Sequence, residues 1–200
     1  MQKVILKSLK DAIKTYNTFQ AQFREVSVQA DELRRMSKRV IFYVSKGEET
    51  KATDVLQEAT KLLDAIVKSV SDIQILYDNE GYKVASEEFL EACLTYMMLT
   101  GKEFDLSRIT TTSTRRVGAF SDLCGELARA SVLLATSGDV KRIAKIRDFI
   151  QELMLELSKT KIVENSYLRT KYDQAEKALR KVEDILYQLS VHRPAPQDEE

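Results

Sequence analysis

Residues 87–99 read EEFLEACLTYMML. From Phe89 to Leu99 the only charge is Glu91, in a chain of 200 residues of which 31% are charged. A helix over this stretch is apolar nearly all the way round, which suits the centre of a core better than its surface. Two carboxylates on it, Glu88 and Glu91, are three residues apart and share one face. An apolar helix that carries acids frames both the fold and the chemistry expected of the chain.

On either side of this stretch the pattern stays helical. Ile5, Leu9, Ile13, Tyr16, Phe19 and Phe23 step by three or four residues, which predicts a first helix over about 4–45. Val55, Leu62, Ile66, Val70 and Ile73 form the stripe of a second, over about 49–76. The central helix spans about 81–100, and a Thr- and Ser-rich loop, LSRITTTSTRR, follows over 106–116. Further helices are expected over about 117–136, 139–158 and 165–191. Gly47, Gly81, Gly101 and Gly138 fall where these patterns stop, as glycine does just past a helix end. Asp139 follows Gly138 as a helix N-cap. The only prolines are Pro194 and Pro196, and no run alternates with period two. The fold class predicted is all-α: an antiparallel helical bundle of about six to seven helices with a long N-terminal helix. Residues 1–193 are expected to form one helical domain and 194–200 a disordered tail.

The net charge is zero but unevenly spread. Residues 1–46 hold ten Lys/Arg against four Asp/Glu, and residues 47–105 hold five against thirteen. Two cysteines, Cys93 and Cys124, suggest no disulfide framework and read as small core residues in a reducing compartment. The N-terminus, charged every three or four residues, does not read as a signal peptide, and no apolar run is long enough to cross a membrane. A soluble cytoplasmic protein is expected. The single histidine, His192, excludes Ser-His-Asp and Cys-His nucleophile systems and makes a zinc site built on His and Cys improbable. Hydrolytic chemistry would therefore fall to carboxylates and a hard metal ion.

The sequence supplies such carboxylates twice. In SDLCGELARASVLLAT, residues 121–136, Asp122 and Glu126 are four apart and again share a face. An ionised carboxylate removed from water without a partner is strongly disfavoured. Mg²⁺, with Mn²⁺ as the alternative, would compensate Glu88, Glu91, Asp122 and Glu126, because hard cations take oxygen ligands. Gly125, inside the second pair, would let another helix approach closely. The competing reading is an internal ion-pair network, with Arg129 neutralising Glu126 and Glu88 on the surface. Spacing alone does not separate the two. On the first helix, Arg34, Arg35, Lys38 and Arg39 form a basic segment, read either as a phosphate track for nucleic acid or as a solvated face. Phe19, Phe23, Phe42 and Tyr43 are expected in the core or in a subunit contact.

Four segments carry a family resemblance. SDLCGELARASVLLATSGD (121–139) resembles the central signature of the translin family, in particular its catalytic branch, translin-associated factor X. EFLEA (88–92), SKRVIFYVSKG (37–47) and KVEDILYQLSVHR (181–193) resemble further segments of that branch, in the same order. The resemblance implies an all-α fold of about seven helices, a hollow oligomer, typically an octamer, and a metal-dependent endoribonuclease. Its catalytic acids carry over to Glu88, Glu91, Asp122 and Glu126. Two segments of the eukaryotic relatives, an insertion between the acidic helices and an N-terminal basic targeting segment, have no counterpart. A homo-oligomeric prokaryotic or archaeal relative is expected, acting on RNA. The alternatives are a non-catalytic oligomer that binds RNA or single-stranded DNA, and an all-α nucleotide pyrophosphatase, whose second motif DxxxE fits poorly.

Overall fold

The computed structural model describes residues 1–161 and 164–191. Among them are seven α-helices and one 3-10 turn, and no strand. The expected tail 194–200 and His192 lie outside the described residues. The helices are α1 (Gln2–Ser45), α2 (Glu49–Ser69), α3 (Gln74–Asp78), α4 (Glu80–Thr100), α5 (Ser113–Thr136), α6 (Val140–Ser158) and α7 (Ser166–Val191).

α4 is the central helix, as its composition requires. It packs against α1 on one side and α5 on the other, and α5 in turn packs against α6 and α7. Eleven of its 21 residues are buried, among them Tyr82, Phe89, Leu90 and Cys93. Cys93 and Cys124 are both buried free thiols, and burial pushes Cys124 up to about 12. Such thiols pack as small apolar groups and are poor nucleophiles at neutral pH.

α1 is 44 residues long, about 66 Å at 1.5 Å per residue. Its two halves differ. Val26, Ala30, Leu33, Val40 and Val44 are buried against the bundle. Residues 1–18 are all exposed, including Leu6, Leu9, Ile13 and Tyr16. The apolar stripe read from the sequence is thus helical, but in this half no other described element covers it. Phe19, Phe23 and Tyr43 pack against the core, whereas Phe42 is exposed.

The punctuation is partly as expected. Gly47, Gly101 and Gly138 adopt φ values of 72–74°, the left-handed region that glycine enters without a steric penalty. The Asp139 side chain accepts from the Arg142 N–H at 3.1 Å and caps α6. Three boundaries differ. The second helix stops at Ser69, not near Leu76, because Val70 is extended. Gln22 of α1 donates to the Ser69 carbonyl and accepts from the Ser71 hydroxyl, and the Asp72 side chain accepts from the Gln74 N–H. Short polar side chains that offer such bonds compete with helical pairing. Gly81 is no separator: it lies in the first turn of α4, whose cap is Asn79, with its side chain accepting from the Tyr82 N–H. The loop expected to end at Arg116 ends at Thr112, which caps α5 through the Arg115 N–H. That earlier start puts Arg115, Arg116 and Gly118 on the helix.

Candidate metal centre

α4 packs on α5, and the four predicted acids lie on these two helices, near enough for their charges to act on Glu91. Glu88 and Glu91 come from α4, Asp122 and Glu126 from α5, and each is partly buried. Their charges act on one another. Burial, followed by Asp122, Glu126 and Glu88, pushes Glu91 up to about 8, against the pull of Lys171. Burial also raises Asp122 and Glu126 above the ordinary carboxylate range, although Lys171 and Arg129 respectively offset part of the effect. Desolvation and like charges both disfavour the ionised form.

Three of the four have cationic neighbours. Lys38 of α1 lies 3.6 Å from Glu88, and Lys171 of α7 donates to Asp122. Arg129 lies 3.0 Å from Glu126, but without the alignment of a hydrogen bond, so the buried Glu126 Oε2 has no hydrogen-bond partner. Glu91 forms neither an ion pair nor a hydrogen bond among the described residues, and no hydrogen bond contributes to its shift. Of the ion-pair reading from the sequence, the Arg129–Glu126 contact is present, whereas Glu88, read there as a surface acid, is partly buried beside Lys38.

The donors are of the kind a hard cation takes. They are all oxygens, one carboxylate is unpartnered, and one buried oxygen is unsatisfied. Among the described residues no three Asp, Glu, Cys or His side chains converge as a ready-made cage. Mutual repulsion keeps ionised carboxylates apart unless a counter-charge draws them together. Gly125 does not serve as expected: it is exposed, and a Cβ there would meet nothing within 4 Å.

The close approach lies one helical segment earlier, around a residue the sequence did not single out. Glu87 is 3% exposed. Its Oε2 accepts from Arg115 Nη1 at 2.7 Å and its Oε1 from the Tyr167 hydroxyl, with Lys171 Nζ 3.7 Å from the same oxygen. Arg115 also pairs with Glu80 and lies over the Tyr167 ring, 4.8 Å from its centroid. A buried carboxylate is tolerated when it is paired and hydrogen-bonded in this way. A Cβ at Gly118 would collide with Glu87 Oε1 and come within 2.9 Å of the Tyr167 hydroxyl. Gly118 is therefore the position on α5 where the absence of a side chain matters.

The basic segment divides. Arg34, Arg35, Lys38 and Arg39 are all exposed. Lys38 leans toward Glu88, whereas Arg35 is held by Glu32 at 2.5 Å. Arg34 and Arg39 form no ion pair among the described residues, and the structure does not bring them to the acids.

An all-α chain with partly buried acids on two packed central helices is the class that the fold and the site define. The chain belongs to the translin family, whose match spans residues 22–193. The fold is also that of solved C3PO structures. A crystal structure of AfC3PO has TM-score 0.81 at 23% identity, covering 94% of this chain and 100% of that one. A complex of AfC3PO with duplex RNA gives 0.80 at 22%, covering 93% and 98%. Apo-NeC3PO gives 0.80 at 17%, covering 90% and 96%. No curated protein matches the sequence.

Proposed function

We propose that this chain is an Mg²⁺- or Mn²⁺-dependent endoribonuclease in which Glu88, Glu91, Asp122 and Glu126 hold the cation. The observation that carries the reading is Glu91: a partly buried carboxyl with no partner among the described residues, held up to about 8 by burial and three further acids. Lys171 offsets only part of that burden, and a divalent cation would offset more of it. A divalent cation bound there would polarise a phosphate oxygen and acidify a water molecule. The four acids would orient that ion, and the apolar body of α4 would keep competing water out. One of the four acids would accept a proton from the attacking water, and the Glu126 Oε2 without a hydrogen bond supports that residue for the role. Hydrolysis of this kind leaves a 5′-phosphate and a 3′-hydroxyl.

RNA is the proposed substrate. Membership of the translin family and the likeness in fold to AfC3PO, a protein solved with duplex RNA, support it. Arg34, Arg35, Lys38 and Arg39 would contact phosphates on the exposed face of α1. Self-association, with an octamer as the expected form, is supported by the uncovered seam of Leu6, Leu9, Ile13 and Tyr16. Its spacing of three, four and three residues is that of a coiled-coil seam. The second reading is a non-catalytic oligomer that binds RNA or single-stranded DNA. The cationic neighbours of Glu88, Asp122 and Glu126 favour it.

Labelled RNA incubated with Mg²⁺, with EDTA, and with a Glu126→Ala variant separates the two. Cleavage that needs the metal and is lost in the variant is expected. Undiminished cleavage by a folded Glu126→Ala protein, or tight binding with no turnover, would reject the nuclease.

A further inference from the structure

Lys171 is, among the described residues, the cation that pairs with carboxylates on both α4 and α5. Its Nζ donates to Asp122 Oδ2 and lies 3.7 Å from Glu87 Oε1. The two acceptors differ in role. Asp122 belongs to the cleft proposed for the divalent cation. Glu87 lies just beside it, and its position is fixed by Arg115 and by Tyr167, which sits one turn before Lys171 on α7. The Lys171 side chain is only 22% exposed, and its ammonium lies 5.4 Å from the Tyr167 ring centroid. It is therefore tethered near both carboxylates and poorly placed to leave them for solvent.

A divalent ion and an ammonium repel each other, and the repulsion is strong in a partly desolvated cleft. Both cannot hold Asp122 at contact without loss. A second carboxylate within reach gives the ammonium another place to go. We infer that Lys171 is a tethered counter-ion: it holds Asp122 until a divalent cation takes that carboxylate, and then shifts onto Glu87. The inference rests on the cation site proposed above and adds an exchange to it. Lys171 is a positioning residue here, acting through Asp122. The exchange also makes sense of Glu87, which couples the cleft to the knot of α4, α5 and α7 without being a ligand.

The test is Mn²⁺ binding to the full chain, read by the electron paramagnetic resonance signal of free aqueous Mn²⁺, with circular dichroism as the check on folding. Lys171→Met keeps the stem and removes the competitor. Its Mn²⁺ affinity should rise about tenfold, the gain when the competent form goes from about a tenth of the population to nearly all of it. Lys171→Gln, a neutral donor, should behave in the same direction and serves if the Met variant does not fold. Lys171→Arg should weaken Mn²⁺ binding, because a forked guanidinium can span both carboxylates. A folded Met or Gln variant that binds Mn²⁺ no more tightly than wild type overturns the exchange while leaving the site intact. No Mn²⁺ binding by wild type overturns the site, and the exchange with it.

Discussion

Glu87 and Glu91 stand one helical turn apart on α4 and have opposite surroundings. Glu87 is nearly sealed from solvent, yet Arg115, Tyr167 and Lys171 from two other helices satisfy it. Glu91 is less buried, has no partner among the described residues, and feels three further acids. Burial alone therefore does not mark a functional carboxylate. A buried acid with a full set of donors holds the fold together; a partly buried acid without them is where the proposed cation would act. The structural acid is the more expensive one to remove, and the unpartnered acid is the one whose removal should relieve the protein.

The largest effect that would test this contrast is Glu87→Ala. It takes from the partly buried Arg115 and Lys171 the acceptor they share and leaves them only the carboxylates of Glu80 and Asp122. Unfolding free energy should therefore fall by about 3 kcal/mol, the low end for a broken buried pair. Urea unfolding would show it, and a loss below ~1 kcal/mol would mean that the knot is not structural. Next in size is Gly118→Ala, where the added methyl meets Glu87 and Tyr167. Overpacking of this kind should destabilise by about 1–3 kcal/mol. Gly125→Ala, with open space around its Cβ, should be neutral or slightly stabilising, since alanine is the better helix former.

The third test has the opposite sign. The folded chain ionises Glu91 only at about 8, whereas an unfolded chain does so near the ordinary value of about 4.3. Between these values the folded state holds the extra proton. The stability this contributes is fully present below about pH 4.3 and is lost as pH rises through about 8. In EDTA, Glu91→Gln should therefore gain thermal stability over wild type as pH rises, with the difference largest near pH 8–9 and closing by pH 5. A divalent cation that takes the ionised form should release protons on binding at pH 7 and bind more tightly as pH approaches 8. A pH-independent gap between the two proteins would show that Glu91 is not the strained group. The smallest structural effect is expected on α1. Arg34→Ala with Arg39→Ala should leave the melting temperature unchanged, weaken RNA binding across sequences, and reduce the salt slope by about 2 if both contact phosphates.

Much of this contrast could not be read along the chain. The helix class, the long α1 and the breaks at Gly47, Gly101 and Gly138 were legible because periodicity and glycine act locally. The break after Ser69 was not, since Gln22, 47 residues away, supplies the bonds that replace helical ones. Glu88, Glu91, Asp122 and Glu126 were singled out by their spacing on apolar helices and by family resemblance. Glu87 stood beside them unremarked. In the pair Glu87-Glu88 nothing local says which carboxylate turns inward; that depends on Arg115, 28 residues on, and Tyr167, 80 residues on. Tyr167 and Lys171, four apart on α7, carried a weak signal of a shared face. The misplaced start of α5 hid Arg115 in a supposed loop. Gly125 drew attention for its place between two acids, yet the steric demand is at Gly118, where α5 passes the knot.

The most direct measurement is anomalous diffraction from a crystal soaked in Mn²⁺. The account predicts an ion between α4 and α5 with Glu91 and Glu126 among its ligands, while Glu87 keeps Arg115 and Tyr167. A cleft without Mn²⁺, in which Glu91 remains apart from Asp122 and Glu126, would contradict it.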